Sequence, residues 1–324
     1  MKHGVRWKLE LFAENTKRAK DGIKLELVEA RRVAALIYTL KGRPFDIDAV
    51  KRSRNLMKSS TGVFSALRGN MSTCIATMLS LNGNPKLQFD HTVEVYDMMK
   101  NAGFWRSDFL AVAAYLVAES ASPEDYQPIV NRMGSFYEEM KSLHVFNTGS
   151  DDIIFAAILA LSDKDTRHSV RSVELLYQRL GPEFLAKNSV LALAQILAAG
   201  DMSDQAAADR VLALRSAFKA HKVPMDKAYT IPSLGILALL PGDVNTIVQD
   251  VAEAQVHLRA QKGYGALSVS KQELLLFAVA ITASGYTEGV EGGLVTATVS
   301  TSIINIIISA QVTVAGGVMV VASN

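Results

Sequence analysis

The feature that most constrains this chain is a recurrence. Runs of small and apolar residues return at intervals of about 40 residues, at 33–37, 74–79, 113–116, 156–159, 194–197, 234–237 and 277–280. Their anchors are Ile37, Leu79, Leu116, Leu159, Leu197, Leu237 and Ala280. That period belongs to helix-pair units. The runs are rich in alanine and leucine, which favour helix because they lose little side-chain freedom there. They are apolar nearly all round, so the spacing predicts helices buried on most sides.

A second kind of segment follows each run. Val93, Tyr96 and Met99 recur at helical steps, as do Val130, Met133, Phe136, Tyr137 and Met140. Val170, Val173, Leu176, Tyr177 and Leu180 form the next stripe, then Val211, Leu214 and Phe218, then Val244, Ile247, Val251, Ala254 and Leu258. Each stripe marks an amphipathic helix with one wet face. Residues 3–20 predict an extra leading helix. Ser122, Pro123, Glu124 and Asp125 predict an N-cap, a proline in the first turn and acids at the positive helix end. Asn82-Gly83-Asn84-Pro85 and Pro241-Gly242-Asp243 predict turns. The expected fold is all-α: about seven tandem helical hairpins forming an α-α superhelix or solenoid, with closure toward an α/α toroid as its variant.

The chain is 49% hydrophobic and 20% charged, enough to bury extensive surface and unlike a disordered chain. Its net charge of +2 gives no general attraction to nucleic acid. The single cysteine, Cys74, has no partner for an internal disulfide, which suits a reducing cytoplasm. The first ten residues carry no apolar core of signal-peptide length.

Each buried run begins with polar residues, which places several helix N-termini along one edge. The candidate ligand-binding residues there are Arg68, Asn70, Asp108, Asp151, Asp152, Lys227 and Tyr229. Free N–H groups and partial positive charge at such ends attract anions. Simple capping explains Ser, Asp and Asn at the same places. Asp151 and Asp152 suggest metal or acid–base work, but adjacent residues at a helix start point apart. The six histidines lack the short spacing of metal ligands, and no nucleophile-elbow, zincin or phosphate-loop motif is present. Lys262-Gly263-Tyr264-Gly265 follows a helix and predicts a helix stop. Lys51-Arg52-Ser53-Arg54 predicts a wet helix face. No catalytic residue, metal site or cofactor is therefore assigned, and whether the protein is an enzyme is left open.

Residues 292–324 carry no charge. The stretch from 294 to 322 is long enough to cross a bilayer. Ser300, Thr301, Ser302, Asn305, Ser309 and Gln311 interrupt it, and Glu288 and Glu291 flank it in place of lysines and arginines. Alternation from Val295 to Ile303 would suit a strand, whereas the favoured expectation is a helix packed on the last hairpin. Residues 1–291 are thus expected to form one repeat domain, and 292–324 an apolar segment lying on it.

The stretches GVFSALRGNM (62–71), FLAVAAY (109–115), DDIIFA (151–156), MDKAYT (225–230) and LVTATVSTSII (294–304) together resemble a bacterial family, mostly from Bacillus-like organisms, catalogued as domain of unknown function 4003. The resemblance covers nearly the whole chain and implies a bacterial cytoplasmic origin. It implies no activity, cofactor or catalytic residue. The leading expectation is a cytoplasmic binding or scaffold protein that takes a protein or peptide partner and no nucleic acid. The alternatives are a small-ligand binder or enzyme on the polar edge, and membrane contact through residues 292–324.

Overall fold

The computed structural model describes residues 1–23, 28–62, 67, 69, 71–143, 149–162, 164–288 and 303. Among these the chain is all-α, with no strand. The helices are α1 (His3–Gly22), α2 (Val28–Leu40), α3 (Ile47–Ser60), α4 (Ser72–Leu81), α5 (Pro85–Asn101), α6 (Asp108–Ser120) and α7 (Tyr126–Leu143). They continue as α8 (Asp152–Leu161), α9 (Thr166–Leu180), α10 (Lys187–Ala198), α11 (Asp204–Ala220), α12 (Ile231–Ala238), α13 (Val244–Ala260) and α14 (Lys271–Thr287). All seven alanine-rich runs lie in the even-numbered helices, α2 to α14. The expected leading helix is α1. The expectation for 292–324 falls outside the described residues, apart from Ile303, which is helical and buried.

The two kinds of helix differ in what they hide. In α6 every residue from Phe109 to Ala118 is buried, and in α8 every residue from Asp152 to Ala160. Each fully buried Leu, Ile or Phe contributes about 1.5–3 kcal/mol relative to exposure. The amphipathic helices bury one stripe each, such as Ala207, Ala208, Val211, Leu214 and Phe218 on α11. Val93, Tyr137, Tyr177 and Val244 sit at stripe margins and are half-buried.

Helix starts follow capping chemistry. Asp46, Asn84, Ser107, Asp243 and Ser270 accept the N–H three residues on, at 2.9–3.2 Å. Ser122 makes no such side-chain bond, because Pro123–Asp125 form a 3-10 turn ahead of α7.

The described residues form two units: Met1–Glu14 with Ser172–Asn324, and Asn15–Arg171. In the unit 15–171, α3 packs on α4, α5 on α6 and α7 on α8, while α2 meets α4 and α6 meets α8. The closest partner of each of these buried helices is thus the amphipathic helix before it. Buried Asn15 is fully used here: its Nδ2 donates to Thr39 Oγ1 and to the Arg43 carbonyl, each at 3.0 Å, and its Oδ1 accepts the Phe45 N–H at 2.7 Å. In the unit containing 172–324, α10, α12 and α14 stack in that order, and α11 and α13 lie beside them. Gly235 makes the α10–α12 approach possible, since a Cβ there would stand 2.9 Å from Leu193 Cδ1. The first turns of α1 pack on α14: Phe12 lies against Phe277 and Tyr264, and Lys8 Nζ donates to Ser284 Oγ at 2.6 Å.

Helix ends reveal one local conflict. After α5, Gly103 (φ 96°) donates to the Lys100 carbonyl and Phe104 to the Met99 carbonyl, a left-handed glycine stop. After α11 the same two bonds recur, Lys222 to Lys219 and Val223 to Phe218, but the left-handed residue is Lys222 (φ 58°). A side chain in that region costs about 1 kcal/mol. Lys222→Gly is therefore expected to stabilise the chain by about 1 kcal/mol, read as a raised midpoint in urea.

Candidate functional site

A helix shielded on all sides cannot leave its last carbonyls to water, so neighbours must supply donors. The seventh residue of each amphipathic helix from α3 to α13 is Ser53, His91, Arg132, Ser172, Arg210 and Asp250 in turn. Five of these reach the far end of the next buried helix, or the segment just beyond it. Arg132 donates to the Ser162 carbonyl at 2.5 Å, and Arg210 to the Leu240 and Gly242 carbonyls at 2.8 Å each. His91 Nδ1 pairs with Tyr126 Oη at 3.0 Å, and that hydroxyl donates to the Ala118 carbonyl. Ser172 Oγ donates to the Asp204 carboxylate, and Asp250 accepts from Tyr286 Oη at 2.8 Å. Ser53 is buried. This polar edge is structural.

The opposite ends carry the sequence candidates. Arg68 and Asn70 lie outside the described residues. Asp108, half-buried, is the first residue of α6 and follows the cap Ser107. It faces the Cys74 thiol, which is pushed up to about 12 first by burial and then by this carboxylate. Cys74 therefore stays a protonated thiol at neutral pH and is a poor nucleophile. Tyr96, whose buried hydroxyl has no hydrogen-bond partner among the described residues, also feels Arg106 and Asp108.

Asp151 stands at the N-cap of α8 without a side-chain cap bond, and burial holds its carboxyl above the usual range. Buried Asp152 accepts the Gly149 N–H at 2.6 Å. Both acids act on the Tyr137 phenol, which is raised by burial first and then by Asp152. Lys227 is exposed, and its carbonyl accepts the N–H groups of Thr230 and Ile231 at the start of α12. Tyr229 beside it is half-buried. Asp108, Asp151 and Asp152 belong to the unit 15–171, Lys227 and Tyr229 to the other. Among the described residues, no three His, Cys, Asp or Glu side chains are placed to hold a metal ion. No described helix is long and apolar enough to cross a membrane.

The sequence reading missed the most exposed part of this edge. The three most exposed large apolar side chains described are Trp105 (88%), Leu185 (99%) and Leu267, which is fully exposed. All three lie on links running from an amphipathic helix into a buried one: α5 to α6, α9 to α10 and α13 to α14. Each tip is held by buried neighbours, Phe104 beside Trp105, Phe184 beside Leu185, and Tyr264 with Val269 around Leu267. Phe184 is stacked in turn by the Arg215 guanidinium, 4.6 Å from its ring centre. A hydrophobic letter in a loop does not declare its exposure. The adjacency of two large apolar residues in Phe104-Trp105 and Phe184-Leu185, one to anchor and one to spare, was the available signal.

These features define an all-α protein of paired buried and amphipathic helices, with anchored apolar tips at the links. Residues 16–313 match the family described as Protein of unknown function (DUF4003), and the chain belongs to it. No curated protein and no solved structure matches the chain.

Two outcomes follow from these ends. Arg210→Met is expected to cost about 1–3 kcal/mol by orphaning the carbonyl of buried Leu240, whereas exposed Arg167→Met should change stability by less than about 0.5 kcal/mol, both read by urea melts. Asp151 has a raised folded pKa, so it favours folding only at acid pH, and that contribution is lost as pH rises through the folded value. Asp151→Asn should then raise the melting temperature at pH 7, with the gain vanishing in acid.

Proposed function

We propose that this is a cytoplasmic binding or scaffold protein that recognises a protein partner through the links at the starts of its buried helices. The observation that carries this reading is the set Trp105, Leu185 and Leu267. Single exposed apolar residues are ordinary on a surface. These three are set apart by position and support. They share one kind of link, and buried neighbours hold each backbone so that the tip is presented at little further entropic cost. Rigidly held aromatic and aliphatic tips are the side chains that dominate binding when they enter a partner's pocket. Asp108, at the end of the link that carries Trp105, supplies a polar contact beside it, and Asp151, Asp152, Lys227 and Tyr229 stand at the starts of other buried helices.

The test places a photo-crosslinking residue at 105, 185 or 267 of the full chain, with Val256, exposed on the wet face of α13, as the control position. The expected result is the same protein captured from the link positions and not from 256. Capture from 185 should be lost on changing Leu267 to serine, and capture from 267 on changing Leu185 to serine, with the helical circular dichroism unchanged. Failure of all three link positions to capture any reproducible protein would overturn the reading.

A further inference from the structure

We infer that the partner surface met by the unit containing 172–324 is acidic. This rests on the binding reading above and names the chemistry of that same edge. Lys222, Lys227, Lys262 and Lys271 are all exposed on the links that lie between or beside the tips Leu185 and Leu267. None of the four has a carboxylate partner among the described residues. The carboxylates of Glu183 and Asp226, on the same links, share the Arg215 guanidinium at 3.0 and 2.6 Å, which offsets one of their two charges and leaves the lysines in excess. The edge therefore carries unbalanced positive charge beside its apolar tips.

Helix electrostatics suits Lys222 and Lys262, which follow the C-termini of α11 and α13, but does not account for Lys227 and Lys271. A cation is favourable at a helix C-terminus and unfavourable at an N-terminus, where the backbone dipole is itself positive. Lys271 is the first residue of α14, and Lys227 stands just before α12, so both add charge where the helix ends already repel it. Lys222 occupies a left-handed position that Gly103 fills after α5. Lys227 and Lys271 are thus kept at electrostatic cost, and a negatively charged partner recovers it by charge complementarity.

Leu185 and Leu267 belong to links two helix spacings apart in the stack of α10, α12 and α14, about 20 Å. The partner is a protein face of that span, with apolar depressions rimmed by Asp and Glu. Discrete carboxylates of this chain, Glu183 and Asp226, sit half-exposed among the lysines; a uniformly anionic bilayer would press phosphates against them, whereas a protein face can leave them room.

The experiment uses the full chain with the crosslinker at 185 or 267, with and without Lys222→Glu, Lys227→Glu, Lys262→Glu and Lys271→Glu together. Lys227 and Lys271 stand at positive helix ends whereas Lys222 and Lys262 follow negative ones, so the reversal is about neutral for the helices, and an unchanged urea midpoint of the reversed chain shows that lost capture does not report unfolding. The expected result is a captured protein whose crosslinked segment is net acidic, with yield falling about tenfold or more in the reversed chain. Capture of a neutral or basic segment, or a yield indifferent to the reversal, overturns the acidic partner while leaving the binding reading in place. Crosslinks to phosphatidylglycerol, with co-flotation on phosphatidylglycerol vesicles that the reversal abolishes, would replace the protein by a membrane. No capture from 105, 185 or 267 would remove both readings.

Discussion

The structure depends on how a fully shielded helix disposes of its own backbone ends. Helices such as α6 and α8 bury almost every side chain. Their last carbonyls are then cut off from water, and an orphaned buried carbonyl costs as much as several buried methylenes contribute. The chain meets this need from the side, with polar groups at a fixed depth in the neighbouring amphipathic helix. Arg132 and Arg210 act directly on carbonyls; His91 acts through the Tyr126 hydroxyl. The starts of the buried helices are treated differently. They lie at links open to solvent, where capping residues and water suffice, and where side chains are free to do something else.

Much of the fold was legible because it rests on composition at a period. Alanine-rich runs can be buried on all sides only as helices, and the 40-residue interval placed every one of them. Stripe positions were legible to within one residue: Tyr96, Met99, Met133, Leu176 and Leu214 are buried, while Val93 and Tyr177 lie at the margin. The start of α7 was less legible. Pro123 suits a first α-turn and a 3-10 turn equally, since it lacks the N–H that would tell them apart. Closest pairing was also hidden, because α5 packs more intimately on α6 than α4 does on α5, and no residue pattern ranks one neighbour above the other.

The site was legible only in outline. Polar residues at the starts of buried helices marked the candidates, and the structure places Asp108, Asp151 and Asp152 at such starts in one unit and Lys227 and Tyr229 at one in the other. Their individual roles were not readable. Asp152, which looked equivalent to Asp151, is the one that accepts the Gly149 N–H, whereas Asp151 makes no side-chain cap bond. Trp105, Leu185 and Leu267 escaped notice because hydrophobic periodicity reports helices and says nothing about which link residue faces outward. Lys227 was a candidate from the sequence alone, whereas the unfavourable place of Lys271 at the positive pole of α14 depends on the helix boundary.

The seventh-position residue changes from each amphipathic helix to the next: serine, histidine, arginine, serine, arginine, aspartate. From His91 to Asp250 each fits the particular group it meets, a bare carbonyl in some places, a tyrosine hydroxyl or a carboxylate in others. Successive helix pairs are therefore not interchangeable parts. Exchanging two of them, or deleting one, would bring an arginine against a phenol or an aspartate against a carbonyl oxygen. The order of the pairs is written into these joints, and the chain carries its own assembly instructions at the ends of the helices rather than along their greasy sides.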